Sequence, residues 1–501
     1  MSLVRLSLVF FAAHLATALY FLFDRAPGTA AAWVGFPLDD AWIHMVYARS
    51  LAAFHGFAYN PGQLETGSTS PLWAILLVPA SWTAQLCHIG VVVPAKITSL
   101  LTAVAASVGA ARLLRGLGLG LAAELGAGLA IAFDPSLAFA QVSGMEVMLA
   151  GALGLWALAE LAHEHYPAAG IAAGLAPLAR PEMALVTVMV LAVAQWRLQR
   201  CHAPAKARLW VMLPMVASVG GWMAYCLAVS GYPLPSTFYA KFASREKYLI
   251  HNLILIVEKI LPASPWFAYG SGALLWVMGA VAVWRRGLVG RCFVALPFVL
   301  FAGVSASQLI RASEPFYFLR YVLPAQVFVV VTLAVGAASA ARWGWQRRRL
   351  AFGPAYAAGM ALLLACALSK LPQTLRGRAH LFAWNCQNIE ELDVAMAAWL
   401  RDNVPADETI AVIDAGASRY FGEHKIFDII GLNHHRFLHR DPKAMAELSR
   451  VRFVSVFPAA SLEIQSDPAW FPIHRTSTDN LTICQCAQSE VVAYRRSSEA
   501  R

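Results

Sequence analysis

Residues 38–73 read LDDAWIHMVYARSLAAFHGFAYNPGQLETGSTSPLW. They follow the first long apolar run of the chain and open on two adjacent carboxylates, Asp39 and Asp40. The segment then takes a helical period. Asp40, His44 and Tyr47 fall at i, i+4 and i+7, on one face of a helix. Asn60-Pro61-Gly62 is a turn signal, and Gly67-Ser68-Thr69-Ser70-Pro71 is a polar break before the chain turns apolar again.

The surroundings of this stretch are those of a membrane protein. Of 501 residues, 59% are hydrophobic and 14% charged, and the mean hydropathy is +0.57. Soluble domains average about 25% charged residues, so lipid must solvate much of this surface. The net charge of +10 does not point to nucleic acid, because the Arg and Lys clusters lie between apolar runs in the positive-inside pattern.

With Arg5 inside, the apolar runs place spans at about 3–23, 94–114, 118–139, 147–161, 209–229, 265–284, 292–309, 321–341 and 351–371. The run 71–93 is expected to lie on the surface, because a crossing there would put Arg112 and Arg115 outside. Residues 167–196 are too few for two crossings of ~30 Å. They are expected to form two half-length helices with Arg180-Pro181-Glu182 at the tip, as tolerated where broken helices line a polar cavity. About eleven transmembrane helices result, with Asp39, Asp40 and the C-terminus on the outer face. The segment 242–261 is expected on the surface, and His163 and His165 at the interface.

The expected fold class is therefore mainly α and polytopic, with a small C-terminal α/β extracytoplasmic domain. The boundary is set at 1–372 for the transmembrane domain, including an external loop at 24–93, and 373–501 for the outer domain. In the latter, 390–403 reads as an amphipathic helix, and 409–413, 425–430, 451–457 and 481–486 as strands. In an oxidising compartment Cys386 would pair with Cys484 or Cys486.

Charged groups near hydrocarbon are functional candidates by default. Those on the outer side are Asp39, Asp40, Glu146, Arg180, Glu182, Lys241 and Arg320. They supply carboxylates able to take a proton and cations able to hold a phosphate on one membrane face. Structural readings stand beside these: Asp39 as a helix cap, Glu146 as an interfacial residue, Arg180–Glu182 as an ion pair, Lys241 and Arg320 as headgroup anchors, His44 as a packed residue, and Arg49 as a solvated charge.

The first-loop stretch resembles the first external loop of GT-C membrane glycosyltransferases, nearest the branch that includes the mycobacterial arabinofuranosyltransferases. Trp42, Gln63 and Ser68 stand where that branch has Tyr, Glu and Tyr. Arg180-Pro181-Glu182, Leu234–Lys241 (with Ser236 for Asn), Arg320–Pro324, Asp414-Ala-Gly and Phe427–Leu432 resemble it as well. The resemblance implies a catalytic base at Asp39 or Asp40, which the sequence leaves open with a lean to Asp40, and a second acidic residue at Glu146. His44, Arg180, Glu182, Tyr239, Lys241 and Arg320 are the candidates for donor phosphate or substrate binding. Asp40 and Glu146 are the candidate ligands of a divalent metal ion.

The resulting expectation is an inverting glycosyltransferase in a bacterial inner membrane, with its active site on the periplasmic side. The donor is a polyprenyl-phosphate sugar, with arabinofuranose favoured. The acceptor is an envelope polysaccharide, a lipopolysaccharide or a pilin-like protein. The rival readings are a transporter or flippase of lipid-linked sugar, which would show paired repeats and mid-membrane charges, and a non-catalytic partner in envelope assembly.

Overall fold

The computed structural model describes residues 1–23, 31–242, 271–306, 320–347, 353–458, 461–481 and 489–497. The chain gathers into two compact units. One comprises Met1–Phe21, Ser99–Gly220 and Glu246–Ala379; the other comprises Leu22–Thr98, Gly221–Arg245 and His380–Arg501.

The first unit is helical. Among the described residues of the whole chain, five helices are long and apolar enough to cross a membrane: Leu3–Phe23, Val92–Gly116, Pro181–Arg200, Ala205–Ser230 and Leu323–Gln346. Shorter apolar helices include Val147–Ala162, Tyr166–Ala179, Ser271–Trp284 and Leu288–Val304. The 323–347 helix is central and packs against the helices 121–133, 147–162, 271–284 and 288–306. Its closest approach is to 271–284. A Cβ on Gly336 would strike the Leu275 carbonyl, and one on Gly279 the Thr332 carbonyl. Small residues here let two backbones meet, as in membrane helix pairs generally.

Two features of this unit depart from the expected spans. The run 118–139 is not one helix. It breaks at Asp134-Pro135 into Leu121–Phe133 and Pro135–Val142, bent by 65°. Asp134 leaves the helix, and its Oδ1 accepts the amides of Ser136 and Leu137 at 3.0 Å each, an N-cap before a Pro at N1. The pair around Arg180 is unequal. Tyr166–Ala179 has 14 residues, about 21 Å. Its partner runs on to Arg200 and reaches spanning length, because the helix continues past the expected end at 196. The tip at Arg180-Pro181-Glu182 is as expected, with Arg180 extended and Pro181 opening a short 3-10 turn.

A polar network lies inside this unit that the sequence did not signal. His14 bonds Gln141 at 2.6 Å and Ser107 at 2.8 Å, and Gln141 donates to Thr17 at 2.8 Å. At the unit's other end, Arg112 forms a two-point ion pair with Glu160. His165 also bonds Glu160, at 2.9 Å, and His163 stacks on His165.

The second unit joins the first loop to the C-terminal residues. The 71–93 run forms two short helices, Pro71–Leu76 and Val78–Cys87, neither long enough to span. A small hairpin, β1 (Ala58–Asn60) and β2 (Gln63–Leu64), turns at Pro61-Gly62. The C-terminal sheet holds β3 (Thr409–Val412), β4 (Lys425–Asp428), β5 (Phe453–Val456), β6 (Trp470–Ser477) and β7 (Glu490–Arg496) in the order β4-β3-β5-β7-β6. β4, β3 and β5 are parallel; β7 and β6 are antiparallel. β6 and β7 were not signalled by the sequence, and the strand expected at 481–486 lies, apart from its first residue, outside the described residues.

Both faces of the parallel strands β4, β3 and β5 are buried, as parallel strands require. One face packs Ala411, Phe427, Val454 and Val492. The other packs Ile410, Val412 and Ile426 against Leu392, Met396 and Leu400, and also against Ile43, Val46, Tyr47 and Tyr59 of the first loop. The loop thus completes the hydrophobic core of the C-terminal domain.

Candidate active site

The first-loop helix spans Asp39–Ala52. Asp39 does not cap it, since the N-cap position is Leu38. The Asp39 carboxylate instead faces the start of another helix, Gly416–Phe421. Its Oδ2 accepts the Gly416 amide and its Oδ1 the Ala417 amide, each at 2.6 Å. Gly416 is required here, because any Cβ would collide with Asp39.

Asp39 is 6% exposed. Burial raises its pKa from 3.8 to about 7; the Ala417 and Gly416 amides oppose this, and the charges of Asp40 and Asp428 add to it. Asp393 also lies well above the usual carboxylate range, first through burial and then through Asp414 and Asp39. Asp40, one position on, is only partly buried. The two adjacent carboxylates therefore occupy different environments.

The rest of the loop is fastened to the C-terminal domain by polar contacts. Tyr47 donates to Asn433 Oδ1 at 2.9 Å. Asn433 in turn donates its backbone and side-chain N–H groups to Asp428 Oδ2 at 2.8 and 3.0 Å. Asp428 Oδ1 accepts the amides of Ile430 and Gly431. Asp428 thus organises a turn, and burial lifts its pKa to about 6. Asn60 bonds both the amide and the carbonyl of Ile426, at 3.0 and 2.9 Å, in the manner of a paired strand. Tyr59 donates to the Ala415 carbonyl at 2.5 Å. Arg49 is not a solvated charge: it donates to the carbonyls of Tyr420 and Arg419, with its guanidinium 4.6 Å from the Tyr420 ring centre.

The polar break after the hairpin is also built in. Glu65 Oε2 accepts the His435 amide at 3.1 Å and bonds its Nδ1 at 2.7 Å. Thr66 and Ser236 join by their hydroxyls at 2.7 Å, and the Ser236 amide donates to the Thr66 carbonyl at 3.1 Å. The Tyr239 ring lies 5.4 Å from Tyr232 and 5.4 Å from His439, which itself stacks on Tyr232 at 3.6 Å. His44 is buried in the first-loop helix. Lys241 lies in the helix Ser236–Phe242, and its side chain is outside the described set.

A second cluster lies in the helical unit. Arg180 is 3% exposed and Glu146 4%. Arg180 Nη1 pairs with Glu146 Oε1 at 2.5 Å, and its Nε pairs with Glu182. The Arg180 and Arg320 guanidiniums each lie 5.1 Å from the centre of the Tyr321 ring, and Arg320 donates to the Tyr321 hydroxyl at 3.2 Å. Four of the expected site residues (Glu146, Arg180, Glu182 and Arg320) are thus brought together, with Tyr321 as a member that sequence reasoning missed. Its position inside the quoted Arg320–Pro324 run was the available signal.

Among the described residues, no group of three or more His, Cys, Asp or Glu side chains is arranged to hold a metal ion. Glu146, one of the two candidate ligands, is already paired with a buried guanidinium. Cys386 is a buried free thiol whose Sγ lies 3.7 Å from the Gly35 carbonyl. Cys484 and Cys486 lie outside the described residues.

Comparison with known proteins places this architecture. No curated protein sequence matches the chain. Residues 384–496 match a family model described as a domain of unknown function, DUF8728. The whole chain is similar to ArnT from Cupriavidus metallidurans bound to undecaprenyl phosphate. The TM-score is 0.58 at 14% identity, covering 96% of this chain and 97% of that one. It is similar to the Archaeoglobus fulgidus oligosaccharyltransferase AglB in complex with an inhibitory peptide and a dolichol-phosphate, with a TM-score of 0.54 at 12% identity, covering 99% of this chain and 74% of that one. It is also similar to the arabinofuranosyltransferase AftD from Mycobacteria, with a TM-score of 0.55 at 14% identity, covering 99% of this chain and 40% of that one. The protein is a polytopic membrane protein with the fold of the GT-C glycosyltransferases.

Proposed function

We propose that this protein is a membrane glycosyltransferase that moves a sugar from a lipid-phosphate donor to a hydroxyl acceptor, with Asp40 as the general base. The observation that carries the assignment is the split within the acidic pair. Asp39 has both carboxylate oxygens engaged by the Gly416 and Ala417 amides. Asp40 shares the helix start and keeps access to solvent. A general base must reach the proton it removes, and a carboxylate buried against two backbone amides is a positioning group.

In the proposed transfer the acceptor oxygen attacks the anomeric carbon and its proton passes to Asp40. The bond from the anomeric carbon to the phosphate oxygen breaks, and the lipid phosphate leaves with the electron pair. Attack opposite the leaving group inverts the anomeric centre. Negative charge grows on the phosphate, so cationic donors aimed at it lower the barrier. Lys241 and Arg320 are assigned that task. Arg180 is assigned the support of Arg320 through Tyr321, since its own charge is balanced by Glu146 and Glu182.

The donor is proposed to be a polyprenyl-phosphate sugar, with arabinofuranose first. The acceptor is a polysaccharide, lipopolysaccharide or pilin-like protein on the outer face of a bacterial inner membrane. The GT-C fold and the first-loop resemblance support this reading. Its test is a panel of polyprenyl-phosphate sugars offered to the purified protein with envelope extract. Release of free polyprenyl phosphate from one sugar supports the assignment and names the donor. Binding of the donors with no release from any of them contradicts it.

A further inference from the structure

We propose that the helical unit carries a binding site for an anionic phospholipid headgroup at the end remote from the Glu146–Arg180–Arg320 cluster. The helices 121–133, 271–284 and 323–347 end around a cavity of about 670 Å³, within the size range of ligand sites. Arg285 and Arg286 line it from the end of one helix and Arg342 from another, and Leu119, Leu121 and Val335 supply apolar lining. Among the described residues, no carboxylate lines it. Among the described residues these arginines form no ion pair, whereas the nearby Arg112 and Arg115 are paired with Glu160 and Glu124.

Three features specify the occupant. First, three exposed guanidiniums line one cavity, and guanidinium forks suit phosphate oxygens. Second, the apolar lining suits acyl chains and gives a free anion nothing. Third, the level is that of headgroups. Trp284, Trp343 and Trp345 are 48%, 40% and 69% exposed at these helix ends, and exposed Trp marks a membrane–water interface. Arg342 lies 19 residues along the helix from Leu323, about 29 Å at 1.5 Å per residue, close to the ~30 Å of a hydrocarbon core. The site therefore faces the leaflet opposite the Arg320 cluster, where basic pockets between spans capture anionic headgroups.

The test uses the full chain in phosphatidylcholine nanodiscs doped with phosphatidylglycerol. Retained phosphatidylglycerol is counted by native mass spectrometry, with inorganic phosphate as competitor. Arg285→Gln and Arg342→Gln, which sit on separate helices, are each expected to weaken retention on the order of fivefold, and the triple variant with Arg286→Gln roughly a hundredfold. Arg291→Gln is expected to leave retention unchanged, because Arg291 lies against the Trp284 ring rather than in the cavity. Equal retention by wild type and by both single variants would overturn the proposal. So would displacement of the lipid by inorganic phosphate at equal concentration, which would assign the site to a free anion.

Discussion

Asp39 holds the backbone amides of Gly416 and Ala417 in its two carboxylate oxygens, each at 2.6 Å, across 377 and 378 residues of sequence. This contact ties the start of the first-loop helix to the C-terminal domain. It also separates two neighbouring carboxylates into a positioning group and a candidate base.

Removing the positioning group should cost stability. Asp39→Ala leaves two buried amides without acceptors, an expected loss of about 2–4 kcal/mol. Thermal melting of the purified protein checks this. Asp40→Asn, an isosteric change at a partly exposed position, should melt closer to wild type than Asp39→Ala does.

The same cluster should make stability depend on pH. Asp39 is raised to about 7 and Asp428 to about 6, both chiefly by burial. A carboxyl with a raised folded pKa binds more protons folded than unfolded between the two values. Its contribution is therefore full below about pH 4 and is lost as pH rises through 6–7. Asp39→Asn removes one such group, so its melting temperature should fall less between pH 4 and pH 7 than that of wild type. An equal fall in both would count against the assignment.

Glycine at position 67 should be obligatory. A Cβ there would meet Asn433, the Leu432 carbonyl and the Tyr47 hydroxyl, and Asn433 and Tyr47 are held in the Asp428 network. Gly67→Ala should destabilise by about 1–3 kcal/mol through overpacking. Gly62→Ala meets no atom and carries only the cost of its positive φ, so melts of the two variants separate overpacking from strain.

Arg180 should tolerate paired but not single replacement. Arg180→Gln leaves Glu146 and Glu182 buried without their cation, an expected cost of about 3–5 kcal/mol. Adding Glu146→Gln and Glu182→Gln should recover most of it. Expression and melting of the single and triple variants test this.

Much of this was written in the sequence. Hydrophobic run length located the long apolar helices 3–23, 92–116, 205–230 and 323–346, and the polar residues at the Arg180 tip announced the break between its helices. Other features depend on partners distant in the chain. Asp39 and Asp40 look alike in sequence because the amides that distinguish them arrive nearly four hundred residues later. Arg49 read as solvated for the same reason: the carbonyls it meets belong to Arg419 and Tyr420. The break at Asp134-Pro135 was overridden by the apolar residues on either side, although Asp before Pro is a helix start. β6 was hidden by Pro472, which is tolerated because β6 is an edge strand.

The most direct test of the account is polyprenyl phosphate release by wild type, Asp40→Asn and Asp39→Asn side by side, with the donor that wild type uses. Asp40→Asn is expected to lose about 10²–10⁴-fold in turnover while still folding, as removal of a general base does. Asp39→Asn is expected to lose stability first and to keep measurable turnover at low temperature. Full turnover by Asp40→Asn, with activity abolished in a stably folded Asp39→Asn, would contradict it.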